Sequence, residues 1–399
     1  VHAYLELAGD GPTKETALLP EIIAGVALLA LALTLASHLC AHVFLSRRPA
    51  SDGPHPPVSL LKPLKGADDD LYANLATFTR QRYPRCQIVF GAEDPDDPAL
   101  AVARRIRDEN PHLDITVVAG ADPLGRNPKV TNLASLSRFA RHDFWLVSDS
   151  NVRVRPDYLR DTMACFADRD VGMVTNPFVG VGERTPGAAM ENLHLNSLVV
   201  GCMSGAELLT DMACVVGKSM AFRRADFEAL GGWAAVKDIL AEDYVLATRV
   251  HEAGHRVVTA PHRIETVIVS WSARRFLNRH LRWGQIRRWN STRAFAGEPL
   301  LNPIPFALAA ALAGLPWVAL AVVALKIASD AVLAKRLRGR AYRLRHFALI
   351  PVKDLVIAGI WVVAIFRRRV WWRGNALRIG PGSALIPERF EPALAGRGA

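Results

Sequence analysis

Residues 22–46 form a run of 25 positions without a single Asp, Glu, Lys or Arg, dense in Leu, Ala and Val. This run limits the possible folds more than any other feature. About 20 apolar residues cross the hydrocarbon core of a bilayer, and there a helix satisfies its own backbone. A cleavable leader would carry an apolar stretch of only about 7–15 residues behind a basic start. Here Glu6, Asp10, Glu15 and Glu21 precede the run against a single Lys14. A retained transmembrane helix over 22–46 is therefore expected, with residues 1–21 outside the cytoplasm. Arg47 and Arg48 follow at once, which places the next segment on the cytoplasmic side.

Apolar sequence returns at residues 299–325, between Glu298 and Lys326, and continues through 327–334. Gly314-Leu315-Pro316 interrupts it, because Pro within a helix removes a hydrogen bond and clashes with the preceding turn. A helical hairpin over 299–334 is expected. The basic residues Lys335, Arg336, Arg338, Arg340, Arg343 and Arg345 then form a cytoplasmic loop, 335–345. A last apolar segment, 346–366, contains Lys353 and Asp354 and either spans or lies at the interface, before a tail over 367–399. The formal charge of +11 crowds the ends of these apolar segments, so the basic surplus points to a membrane and not to nucleic acid. Five scattered cysteines without a C-x-x-C pair argue against a disulfide scaffold and a zinc site.

Between the membrane segments, residues 47–298 have the character of a soluble domain. Residues 58–61, 87–92, 115–118 and 144–147 read as strands; 71–81, 99–108 and 130–139 read as helices. Such alternation makes an α/β fold with a mostly parallel sheet, whose ligands bind beyond the carboxyl ends of the strands. Asp94 and Asp149 fall at two such ends. A turn or cap role explains either one alone. Together they suit a divalent cation bridging protein to a diphosphate. No dinucleotide or P-loop fingerprint is present.

Farther on, Glu242-Asp243-Tyr244 opens a helix running to about Glu252. A carboxylate there gains from the helix dipole, and capping is the simpler role. Arg279-His280-Leu281-Arg282-Trp283 follows in a basic stretch. Arg279 and Arg282 share a helix face and can fork onto phosphates. The flanking Arg274, Arg275, Arg287 and Arg288 read better as contacts for anionic headgroups.

This order of an Asp, an Asp-Ser, a Glu-Asp-Tyr and Arg-x-x-Arg-Trp ahead of a membrane hairpin resembles the ceramide glucosyltransferase family. So do Leu61-Lys62-Pro63-Leu64-Lys65-Gly66, Gln81-Arg82-Tyr83-Pro84, the segment from Gly125 to Asn132, and Trp372-Arg373-Gly374. The resemblance runs from Val58 to Ile386 and implies a membrane-bound GT-A glycosyltransferase domain at the bacterial inner membrane, facing the cytoplasm. It implies that a UDP-sugar, UDP-glucose first, donates to the hydroxyl of a membrane lipid by an inverting single displacement. By the same resemblance Asp94 contacts the nucleotide, and Asp149 holds Mg²⁺ or Mn²⁺ and the diphosphate. Lys129 and Asn132 line the donor pocket, Asp243 is the general base, and Arg279, Arg282 and Trp283 close the site. Asp149-Ser150-Asn151 lacks the second Asp of a D-x-D motif, which leaves the metal open. Ceramide and hopanoid acceptors, and glucose and N-acetylglucosamine donors, stay undivided. A processive polysaccharide synthase and a non-catalytic nucleotide-sugar or lipid binder are the rival readings.

Overall fold

The structure is a computed structural model and describes residues 14–47, 53–210, 213–372 and 375–387. Arg48 and the Arg373-Gly374 pair, both used above, lie outside the described residues. The chain opens with helix α1 (Lys14–Phe44), longer at its N-terminal end than the charge-free run. The soluble part is built on strands β1 (Val58–Leu64), β2 (Cys86–Ala92), β3 (Asp114–Ala119), β4 (Phe144–Ser148), β5 (Val152–Arg153), β6 (Val171–Thr175), β7 (Phe178–Val181), β8 (Ser219–Arg223), β9 (Arg256–Thr259) and β10 (Ile264–Val267). Its helices are α2 (Leu71–Ala76), α3 (Ala99–Glu109), α4 (Pro128–Ser137), α5 (Tyr158–Met163), α6 (Pro186–His194), α7 (Val200–Thr210), α8 (Arg224–Ala229), α9 (Glu242–Glu252) and α10 (Ala273–Asn290).

The main sheet has seven strands in the order β3-β2-β1-β4-β8-β6-β9. The first four run parallel, β8 is antiparallel to both β4 and β6, and β9 is parallel to β6. Every residue of β1 is buried, as befits a central strand covered on both faces. One apolar layer lies over α2, α3 and α5, including Leu75, Phe78, Ile106 and Tyr158. The opposite layer joins α4 and α9 through Leu133, Leu136, Leu246 and Val250. A second sheet, β5-β10-β7, carries the chain toward α10.

The helix expected over 71–81 is instead two pieces, α2 and a 3₁₀ turn over Phe78–Arg80. Thr77 donates its hydroxyl to the Asn74 carbonyl at 2.7 Å, Thr79 donates to that of Ala76 at 3.0 Å, and the Gln81 amide donates to that of Thr77. Side chains that bond the local backbone in this way compete with helix continuation.

The membrane-side helices are α11 (Thr292–Gly297), α12 (Ile304–Leu312), α13 (Pro316–Arg338), α14 (Leu344–Phe347) and α15 (Leu349–Phe366). Among the described residues three helices are long and apolar enough to cross a membrane: 18–44, 316–338 and 344–366. The first arm of the expected hairpin is only 9 residues long and continues at a 54° bend from residues 292–301. The final segment is thus long and apolar enough to span. Lys353 and Asp354 are buried and paired with each other. Lys326 lies 2.5 Å from Asp330 and 3.6 Å from Asp354, and Asp330 faces His38 of α1 at 3.6 Å. Inside this helical bundle the charges are held by mutual pairing, as ionisable groups in apolar helices generally are.

After α15 the chain returns to the soluble domain as a third sheet, β11 (Arg369–Trp372), β12 (Asn375–Ile379) and β13 (Leu385–Ile386). This sheet clasps the loop ahead of α9. Leu240 donates its N–H to the Ser383 carbonyl at 2.9 Å, and Leu385 donates to that of Asp238 at 2.7 Å. The Gln285 amide of α10 donates to the carbonyls of Arg367 and Arg369.

Candidate active site

The carboxyl ends of β1, β2 and β4 emerge on one edge of the sheet, because these strands are parallel. Asp149 stands one residue past β4. The antiparallel pairing of β4 with β8 sets Ser148 opposite Ser219, so the residue before β8, Lys218, falls beside Asp149. Lys218 Nζ is 2.9 Å from Asp149 Oδ2 and donates to the Asn151 amide oxygen at 2.8 Å. Lys129 Nζ approaches the other oxygen, Asp149 Oδ1, at 3.2 Å, and Glu242 Oε1 at 2.9 Å. Lys62, fully buried over the Phe78 ring, donates to the Asp149 backbone carbonyl at 2.7 Å. Three lysines therefore converge on one strand end.

Asn127 sets Lys129 in place. It is the N-cap of α4, accepting from the N–H groups of Lys129 and Val130, with Pro128 at the first turn, a helix start of the kind these residue types favour. Its amide donates to the Ile239 carbonyl at 2.7 Å and to Glu242 Oε2 at 3.2 Å, so one side chain ties α4 to the start of α9. Asp243, half-buried, points elsewhere: Oδ2 accepts the Gly217 N–H at 2.6 Å and Oδ1 accepts its neighbour Tyr244 N–H at 2.8 Å. A Cβ on Gly217 would come within 2.5 Å of Lys129 Nζ and 3.3 Å of Asp243 Oδ2. The Gly217-Lys218 dipeptide thus joins both carboxylates, through its amide to Asp243 and through its side chain to Asp149.

The electrostatics follow from these contacts. Burial works to raise the Asp149 carboxyl, but Lys129 and Lys218 prevail and hold it well below the usual range. Burial lowers Lys218, with Asp149 opposing. Lys129 stays above its ordinary value because Asp149 and Glu242 outweigh burial. Burial, reinforced by the adjacent Glu242 carboxylate, pushes Asp243 up to about 6, near the optimum for a base working around neutrality.

The other sequence-selected residues lie in two further places. Asn132 is buried and donates its amide to the carbonyls of Gly91 at 3.0 Å and Leu64 at 3.4 Å, pinning the ends of β1 and β2. Asp94 is exposed beyond β2, with Oδ1 accepting the Asp96 N–H. On α10, Arg279 is stacked between Trp271 at 5.1 Å and Trp283 at 4.4 Å, and faces Glu191. Trp283 packs against the main core and Arg282 is half-buried. Of the outlying arginines, Arg287 is not left for headgroups: it forks onto Glu298 at 2.6 and 2.8 Å. Sequence reading missed Lys218, Asn127 and Glu191. Asn127 was visible as a polar residue before Pro at a helix start; Lys218 and Glu191 depend on tertiary neighbours.

Among the described residues no group of three or more His, Cys, Asp and Glu side chains gathers as a metal cage. A single strand-end carboxylate still suits Mg²⁺ or Mn²⁺, since such ions commonly take one or two protein carboxylates and fill the rest with phosphate oxygens and water.

The family model described as Glycosyl transferase family 21 matches residues 22–385. The chain belongs to that family. Ceramide glucosyltransferase 3 of Caenorhabditis elegans is 24% identical across 86% of this chain and 77% of its own length. Ceramide glucosyltransferase 1 of the same organism is 28% identical across 61% of this chain and 53% of its own. A solved mannosyltransferase from Pyrobaculum calidifontis, in complex with GDP-Man and Mn²⁺, superposes with a TM-score of 0.51 at 21% identity, over 87% of this chain and 99% of its own. The fold of this family 21 member is therefore GT-A, as the sequence resemblance implied, and the chain is a membrane-associated hexosyltransferase.

Proposed function

We propose that this family 21 enzyme moves a hexosyl group, glucose from UDP-glucose, to the hydroxyl of a membrane lipid such as ceramide by an inverting single displacement. The observation that carries the reading is the shared hub: Gly217-Lys218 links Asp149 and its lysines to Asp243, one half suited to a diphosphate and the other to an acceptor hydroxyl. The relatives named for ceramide glucosylation support the acceptor class.

In this mechanism Lys129 and Lys218 meet the negative charge that builds on the leaving UDP, and Arg279 and Arg282 close on it from α10. Asp243 accepts the proton of the lipid hydroxyl as the new glycosidic bond forms. Asp149 would hold Mg²⁺ or Mn²⁺, which when bound adds charge neutralisation at the diphosphate. Asp94 serves the nucleotide end, and Asn132 keeps the two strand ends in register. The soluble donor enters from the cytoplasm, while the lipid acceptor reaches the site sideways from the inner membrane.

The deciding experiment incubates the purified protein with a panel of UDP-sugars and defined lipids, read by mass spectrometry. Glucosylceramide is the expected product. An N-acetylglucosaminyl hopanoid would replace both donor and acceptor, a polymer would favour processive synthesis, and no sugar transfer with any pair would sink the reading.

Two further outcomes are expected. Gly217→Ala should fold, because the atom it displaces is the flexible tip of Lys129, yet it should weaken UDP affinity by about 10–150-fold, the scale of one lost charged hydrogen bond. Isothermal titration with UDP measures this. For topology, single cysteines at positions 10 and 150 in a cysteine-free background should respectively react with, and be protected from, an impermeant maleimide on intact cells. Labelling at 150 from outside would reverse the orientation.

A further inference from the structure

We infer that Glu191 is a positioning residue for transfer, holding the Arg279 guanidinium in the attitude that receives the donor diphosphate. The inference rests on the reading that Arg279 grips this diphosphate.

Glu191 lies on α6, is fully buried, and stands among apolar neighbours that include Ala188, Ala189 and Leu193. A lone carboxylate in such a place is strongly disfavoured unless its charge is compensated, so a packing role alone would favour an apolar residue. Its two oxygens face consecutive residues of α10. Oε2 is 2.7 Å from His280 Nε2, and Oε1 is 3.3 Å from Arg279 Nε. His280 in turn packs edge-on against His194, with ring centroids 4.5 Å apart, which anchors the carboxylate from behind.

The approach to Arg279 is along the Nε edge. The two terminal nitrogens make up the fork that grips phosphate oxygens, and Glu191, which meets Nε, leaves them uncommitted to it. Trp271 and Trp283 flank the guanidinium, restraining its plane and adding cation–π attraction. Arg279 Nε and Glu191 Oε1 are both buried without an aligned hydrogen bond, although only 3.3 Å separates them. On this inference that bond is complete when an anion is bound, since catalytic hydrogen bonds commonly tighten only in the loaded site. Glu191 also offsets the repulsion between Arg279 and the nearby Lys218, two cations that the same diphosphate must find together.

The test is a double-mutant cycle on UDP affinity, measured by isothermal titration on the full chain in detergent. Glu191→Gln keeps the shape and removes the charge; it should weaken UDP binding roughly tenfold in the wild-type background and less than about twofold in Arg279→Gln. Equal losses in both backgrounds, or no loss in the first, overturn the proposal. Glu191→Asp, which keeps the charge and withdraws it by one methylene, gives a second comparison should the Gln variant not fold. An intermediate loss that vanishes with Arg279→Gln supports positioning, and an equal loss overturns it. If Arg279→Gln alone leaves UDP affinity unchanged, the diphosphate reading of Arg279 fails and takes this inference with it. A weakened Arg279→Gln beside a neutral Glu191→Gln removes only the inference.

Discussion

Asp243→Asn is expected to slow transfer by about 10²–10⁴-fold, the usual contribution of a positioned general base, while UDP affinity stays near that of the wild type. The amide oxygen can still accept the Gly217 N–H that Asp243 Oδ2 accepts at 2.6 Å, so the hub should survive. Since burial and Glu242 raise the Asp243 pKa to about 6, its ionised form is disfavoured by folding at neutral pH. The stability it contributes is largest when it is protonated and falls as pH rises from the ordinary carboxylate range through about 6. The neutral variant should therefore melt no lower than the wild type at pH 7. The same shift fixes the acid limb of activity: kcat/KM should fall tenfold per unit below about pH 6. Glu242 is the adjacent competitor, but its oxygens are engaged by Lys129 at 2.9 Å and Asn127 at 3.2 Å. Glu242→Gln should raise the donor KM and, by removing the charge that helps to raise Asp243, move the acid limb to lower pH without abolishing it. A collapse of kcat in Glu242→Gln beside a near-normal Asp243→Asn would move the base by one residue.

Asp149→Ala should lower transfer by at least about 10²-fold, the scale lost with one preorganised electrostatic group. The informative measurement is UDP affinity with and without Mg²⁺ or Mn²⁺. In the wild type Asp149 is sandwiched between Lys129 and Lys218; its removal takes the carboxylate from Lys218 and leaves Lys129 paired with Glu242 alone, so both can attract an anion more strongly. If Asp149 acted only as their counterion, the variant would bind UDP in EDTA at least as tightly as the wild type, and divalent ions would leave both proteins unaffected. If Asp149 holds the cation, divalent ions should tighten UDP binding in the wild type and fail to do so in the variant. Full transfer by the wild type in EDTA would end the metal role.

The strand ends carrying Asp94 and Asp149 were legible because β-branched runs ended in acidic turns, and parallel strands bring such ends together. The three helices long and apolar enough to cross a membrane were legible from length and composition, whereas the bent first arm of the hairpin was not. What stayed hidden depends on pairing between distant segments. Lys218 sits in a short stretch with no period of its own, and only the antiparallel register of β4 and β8 sets it beside Asp149. Glu191 has no partner within its own segment, and only the packing of α10 against α6 sets it beside Arg279 and His280. The Lys353-Asp354 pair left spanning and interfacial placement equally open in the sequence, because its partners, Lys326 and Asp330 on α13, are visible only once the helices pack. The break in the expected helix over 71–81 came from Thr77 and Thr79 bonding their own backbone, a local competition that apolar spacing does not register.

The clasp of β13 on the loop at Asp238–Leu240 has a consequence for how the enzyme is made. Synthesis runs from the N-terminus, so a ribosome that has already delivered Asp149 and Asp243 has not yet produced the segment that buttresses the base. Residues 375–386 emerge only after α13 and α15, and they reach the loop once those helices are in place. A nascent chain halted before that point would carry every reactive side chain in an unfinished setting, and chains truncated ahead of residue 375 should bind UDP better than they transfer sugar. Competence for glycosyl transfer would then report completed membrane insertion, with the lipid acceptor already at hand when the last strand docks.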